Sequence, residues 1–213
     1  MQPCTKNDPP VIRAAGPGDA AAIAMLHTES WREVYRGILP DAYLDHEIAG
    51  ERLRHWTAAL EQIPIDRGHD RACVSAPAHK DRAAPGSGFA LVARHGDTPS
   101  GFIAVTRDSE PGYDAVVDSL HVAAAWRGTG LGRRLMGQAA ARLLADGASS
   151  VCLRVFDANE GAIRFYRRLG GRVDGTGVDP FAGANMPDTR FGWRDLAALR
   201  DACADGGKGA FHP

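Results

Sequence analysis

A mixed α/β domain around one sheet is the fold that the sequence predicts, and three observations carry it. Helical patterns follow a short opening strand. Strands and helices then alternate through the second half, and a glycine-rich turn there leads a β-rich run straight into an apolar-striped helix. With 213 residues, 44% of them hydrophobic, the chain can bury one sizeable core, which predicts a single domain. The expected layout is a flexible tail over 1–10, a domain over 11–196 with a mobile insertion at 66–88, and a second tail over 197–213.

Each element has its own signal. Val11-Ile12-Arg13 reads as a strand, and Asp19 as the cap of a helix running to about Trp31, with Ala22, Ile23 and Leu26 at helical spacing. Pro40-Asp41 starts a second helix on which Leu44, Ile48, Leu53, Trp56 and Leu60 recur, with Gly50 as a candidate break. FALVARHGDTPSGFIAV predicts a hairpin whose turn is built from Gly96, Asp97, Pro99 and Ser100. In AVVDSLHVA, alternation places Val116, Asp118, Leu120 and Val122 on one face and Val117, Ser119 and His121 on the other. Leu131, Leu135, Ala139 and Leu143 stripe the next helix. SVCLRVF is a strand, Asn159 to Leu169 a helix closed by Gly170-Gly171, and TRFGWRDLAAL the last strand.

The formal net charge of −1, from 25 basic and 26 acidic residues, supplies no field to recruit nucleic acid or an anionic membrane. Neither is expected as a partner. Four scattered cysteines without CxxC spacing, no secretory pattern and no long apolar run fit a reduced, cytoplasmic setting. No cluster at ligand spacing calls for a metal.

The chemistry concentrates at RGTGLGRR. A glycine-rich turn at a helix N-terminus offers unpaired N–H groups and a favourable dipole to a phosphate. Gly128, Gly130 and Gly132 let the backbone close on it, and Arg127, Arg133 and Arg134 gather where a helix normally prefers acids. An anion belongs there. The GK[ST] ending of a P-loop is absent, and Arg133 stands where a dinucleotide fingerprint needs its last glycine.

Arg127-Gly128-Thr129-Gly130-Leu131-Gly132 resembles the R/Q-x-x-G-x-G/A signature of the GNAT N-acetyltransferases, and the strand SLHV before it is similar to that family's central strand. The resemblance, running in weaker form from about Val11 to Leu196, implies a GNAT fold: a central mixed, mostly antiparallel sheet flanked by helices and splayed beside SVCLRVF. It implies acetyl-CoA as donor, its pyrophosphate held at Arg127 to Arg133 and its pantetheine arm along Leu120, His121 and Val122. LRVFDANEGAIRFYRRLGG is similar to the family's second motif, which assigns Asn159 to the cofactor and Tyr166 to the cleft as general acid for the departing thiolate. The family usually has Gly followed by an aromatic where this chain has Gly170-Gly171, which predicts looser packing there.

The base remains open among Asp118, His121, Glu29, Glu33 and plain water. Trp31 and Tyr35, four apart on one helix face, form a candidate wall for the amine acceptor. The reading is therefore direct acetyl transfer to a primary amine of a small molecule. A protein or peptide acceptor, or a non-catalytic acyl-CoA-binding module, are the rivals, and a homodimer is left open.

Overall fold

The computed structural model describes residues 8–62, 88–107 and 110–204. Nearly all of the insertion expected at 66–88 lies outside the described residues, as do residues 1–7 and 205–213. The elements run β1 (Val11–Ala14), α1 (Ala20–Tyr35), α2 (Ile48–Gln62), β2 (Gly88–His95), β3 (Thr98–Arg107), β4 (Ala115–Val122), α3 (Leu131–Ala145), β5 (Val151–Phe156), α4 (Glu160–Arg168), β6 (Arg172–Phe181), β7 (Ala184–Trp193) and α5 (Leu196–Ala204). One sheet of seven strands, ordered β1-β2-β3-β4-β5-β7-β6, joins them. Every pairing is antiparallel except β4 with β5.

Alternation along the strands splits the core between two faces. Phe89, Leu91, Ile103, Val105 and Val117 pack under α3 through Leu131, Leu135, Ala139 and Leu143, the stripe read from the sequence. Ala90, Val92, Phe102 and Ala104 face the opposite way, against Ile23 and Leu26 of α1 and Trp56 and Leu60 of α2. A third cluster, around Tyr35, Leu39, Tyr43, Leu44 and Ile48, extends the α1–α2 side towards Phe156 and Phe181.

Four local expectations need correction. Helix α1 continues one turn past Trp31, because Tyr35 is buried and rewards the extra turn. Gly50 does not break the second helix; the irregularity precedes it, as a π-helical stretch over Tyr43–Glu47. The final segment is a hairpin of β6 and β7 followed by a helix, since Trp193 ends the strand and Leu196 and Leu199 turn inward. That helix replaces the start of the tail expected at 197–213. Its Cys203 lies so close to α3 that a Cβ on Gly137 would meet the Cys203 Cβ at 2.8 Å.

Asp118 marks the largest departure. Ala104 pairs with Ser119 and Val105 with Val117, so Asp118 is the extra residue of a β-bulge. The bulge switches the side-chain parity. Ala115 and Val117 before it and Leu120 and Val122 after it all join the α3 face, while His121 packs among rings of the α1–α2 face. The strict alternation that grouped Val116 and Asp118 with Leu120 and Val122 does not hold.

Packing after α4 is close rather than loose. Gly170 ends the helix at φ +77°, and Trp193 fills the space beside Gly171, where a Cβ would stand 2.6 Å from the indole and 2.9 Å from the Tyr166 carbonyl oxygen. The same indole donates its N–H to the Leu169 carbonyl at 2.8 Å. Gly171→Ala should therefore cost about 1–3 kcal/mol of stability, the usual range for overpacking. Denaturant titration measures it, and a variant as stable as the parent would show that Trp193 yields freely.

Candidate active site

Strands β4 and β5 share a single paired position, Val116 with Cys152. Beyond it they diverge, and the gap opens into a cleft of about 2600 Å³ lined on one side by Val117 to Val122 and on the other by Leu153 to Phe156. Along the gap, β4 remains paired to β3 through Leu120, His121 and Val122, which leaves its other edge to the cleft. The three strand residues expected beside a pantetheine arm stand there.

At one end of the cleft lies the glycine turn. Gly128 and Gly130 adopt φ of +75° and +87°, a left-handed conformation that suits glycine. Gly130 is the N-cap of α3 and provides no side-chain cap, so the first-turn N–H groups are available to a ligand. Thr129 braces the turn through its hydroxyl, which donates to the Trp126 carbonyl at 2.7 Å. Gly132 admits Phe165 of α4, whose ring lies 3.4 Å from where a Cβ would be. Arg133 has its Nε shut off from solvent with no acceptor among the described residues, and a buried unpaired donor of this kind costs about 1–3 kcal/mol. An uncapped helix end, an open glycine cradle and an orphaned guanidinium donor fit a pyrophosphate. Arg127 is differently engaged: it pairs with Glu33 of α1 and donates Nε to the Val122 carbonyl at 3.1 Å, clasping the turn to the first helix.

Tyr166 and Asn159 come from α4. Asn159 caps that helix by accepting from the Ala162 N–H at 3.1 Å, and its side chain lies near Tyr35, where it partly offsets the rise that burial gives the phenol's pKa. Tyr166 lies at the cleft, only 7% exposed, against Phe191 and Trp193 at ring distances of 6.0 and 6.1 Å. Burial, reinforced by Tyr35, pushes its phenol well above the ordinary tyrosine range, so it holds its proton. Asp118 lines the cleft as well. Protein crowds its carboxyl and raises its pKa, against a hydrogen bond to Thr106 that lowers it, although the side chain keeps contact with solvent.

Another part of the lining is aromatic. Trp31 meets Tyr35 at 5.0 Å and Phe181 at 4.9 Å, and Phe156 completes the wall 5.6 Å from Tyr35. Trp31 and Tyr35 thus stand together at the cleft, with Tyr35 also part of the third core cluster. The sequence reading missed the other members. His27 lies four residues before Trp31, at the spacing that joins Trp31 to Tyr35, so a stripe was there to extend. Phe156 and Phe181 end two strands, and nothing local ties them to α1.

His27 is 3% exposed and accepts the Trp56 indole N–H on Nδ1 at 3.1 Å. Its ring lies 4.3 Å from that of His121, whose Nδ1 is 2.9 Å from the Ser30 hydroxyl. Burial first, and nearby positive charge second, keep both imidazoles neutral, with His121 pulled down to about 3 and His27 lower still. These groups take up protons in the unfolded chain near pH 6.5 but not in the folded one. Their contribution to stability is complete above that pH and is lost as the pH falls. His27→Asn, which retains an acceptor for Trp56, should flatten the fall in stability below about pH 6.5 by up to about 1.4 kcal/mol per pH unit. Denaturant titrations across that range measure the slope; an unchanged slope would show that His27 titrates normally in the fold.

Among the described residues no group of three or more His, Cys, Asp or Glu side chains could hold a metal ion, and no helix is long and apolar enough to cross a membrane. Comparison with known proteins agrees with the geometry. The sequence model of the acetyltransferase (GNAT) family matches residues 31–171. An uncharacterized N-acetyltransferase of Bacillus subtilis, YuaI, is 25% identical over 189 residues, covering 89% of this chain and 95% of its own. A "probable N-acetyltransferase" of Mycobacterium tuberculosis is 27% identical, with 84% and 91% covered. The crystal structure of PaiA N-acetyltransferase from Thermoplasma acidophilum in complex with coenzyme A superposes with a TM-score of 0.62 at 18% identity, over 84% of this chain and 97% of that one. A fork between two parallel strands, a glycine turn at a helix N-terminus without a side-chain cap, and a family match across two thirds of the length lead to one conclusion: the chain belongs to the GNAT acetyltransferase family.

Proposed function

We propose that the protein transfers the acetyl group of acetyl-CoA directly to the primary amine of a small molecule. The β4–β5 fork carries this reading, because it joins the phosphate-binding turn to an aromatic-walled pocket through one continuous cleft. PaiA, whose fold this chain shares, was crystallised with coenzyme A, which supports the choice of donor. The turn would hold the pyrophosphate through the backbone from Gly128 to Gly132 and the side chain of Arg133. Bound there, acetyl-CoA supplies an acetyl group activated as a thioester.

The chain's own residues then have three tasks. Phe165 and the apolar side chains Leu120 and Val122 exclude water from the donor arm. Tyr166 holds a proton on its phenolic oxygen for the leaving sulfur, and its raised pKa keeps that proton in place across the neutral range. For the amine proton, Asp118 is a stronger base than an ordinary carboxylate because its pKa is raised, whereas His121 is a weaker one than ordinary imidazole because its pKa is depressed. We assign the base to Asp118, whose carboxylate lines the cleft, over His121, whose ring is engaged with Ser30. A small acceptor is favoured over a peptide because α1, the end of β5 and the β6–β7 hairpin surround the aromatic end with rings.

Saturating acetyl-CoA should raise the melting temperature, since a ligand at about 100 times its Kd adds about 2.7 kcal/mol. Gly130→Val should abolish that rise, for valine is strained at φ +87°. A rise with ATP or NAD alone would reassign the turn. Tyr166→Phe deletes only the hydroxyl and should lower kcat by on the order of 100-fold or more with donor affinity nearly intact. An unchanged kcat under chemistry-limited conditions would return Tyr166 to the core.

A further inference from the structure

The acceptor end of the cleft contains a cation that the transfer itself does not require. Arg52 of α2 lines the cleft with its side chain only 13% exposed, its guanidinium carbon 5.6 Å from the centre of the Trp31 ring. Glu51 takes Nη2 alone, and Glu51 is itself divided, because its other oxygen accepts the Tyr43 hydroxyl at 2.8 Å. The Nε of Arg52 is buried and has no acceptor among the described residues. A buried guanidinium is ordinarily satisfied by an acceptor along its planar edge, since leaving a donor unpaired costs more than the bond is worth when made.

We propose that the acceptor carries a carboxylate beside its amine, as an amino acid does, and that Arg52 binds that carboxylate while the aromatic wall holds the side chain. The inference rests on the acetyltransferase reading for its chemistry. Three features on the page favour it over a purely cationic acceptor such as a polyamine or a lysine side chain. The face of Trp31 that would cradle a cation already has a guanidinium beside it. The charge of Arg52 reaches His27 and His121 at the floor of the pocket and lowers both, so a second positive charge entering there meets repulsion. Carboxylates of the surrounding elements are engaged, Glu33 with Arg127, Glu51 with Arg52 and Asp188 with Arg154, while Asp118, the proposed base, and Asp179 of β6 also line the cleft and can receive the amine end of a zwitterion.

The test compares α-amino acids, their amides and their decarboxylated amines on donor-saturated protein. Acetylation is followed by thiol release and binding by calorimetry. The parent protein should prefer the acids by about 10- to 100-fold in kcat/KM and in affinity, the range of a charge-assisted hydrogen bond. Arg52→Gln should erase the preference, Arg52→Lys should retain part of it, and Arg54→Gln, at an exposed neighbour, should keep it. Amides or amines that serve the parent as well as acids overturn the proposal, with no variant needed, as does a preference that survives in Arg52→Gln or binding by none of the acids. Acids that bind through Arg52 but are never acetylated would sustain the Arg52 site and overturn the transferase reading instead.

Discussion

The site depends on one interrupted ladder. Two neighbouring strands in a mostly antiparallel sheet would ordinarily pair along their length, because unpaired backbone groups are costly when buried. Here β4 and β5 run parallel and share one paired position. The bulge at Asp118 falls two residues past that position, where it disturbs the register of β4 against β3. Bulges bend a strand and increase its twist, which turns the end of β4 away from β5. The edge this leaves is the wall on which the donor arm is proposed to lie, and it opens towards α3, whose uncapped N-terminus stands at the same end.

Beside the fork, successive side chains of β4 go to opposite faces of the sheet. Switched parity sends Leu120 and Val122 to the α3 face and His121 to the α1 face. In the proposed reaction, donor and acceptor would meet in the gap, whose lining includes Tyr166 and Tyr35. Asn159, which caps α4, also lies near Tyr35, so the helix that carries the proposed acid meets the helix that carries the proposed acceptor wall.

How much of this could be read from the chain follows physical lines. The glycine turn was legible because all its parts are contiguous, and the apolar stripe of α3 because it repeats every turn. The bulge was not legible, since strict two-residue parity can be drawn through Val-Val-Asp-Ser-Leu and only the pairing with β3 shows one residue too many. Strand β6 escaped because it is an edge strand whose side chains are mostly in solvent, which removes the apolar period that a strand reading needs. Helix α5 did carry a signal in Leu196, Leu199 and Cys203, hidden by the strand before it and the glycines after it. Arg52 had none, because an arginine on a charged helix is indistinguishable from its solvated neighbours until Trp31 and Glu51 are seen around it.

The aromatic wall draws on three distant parts of the chain: Trp31 and Tyr35 from the first helix, Phe156 from the end of a central strand and Phe181 from the edge of the sheet. None of them belongs to the turn from Arg127 to Arg133. The proposed acceptor pocket could therefore be revised by exchanging one ring at a time, on separate elements of the chain, with no residue of the glycine turn exchanged. On the proposed reading, chemistry and target are set by separate stretches of the chain.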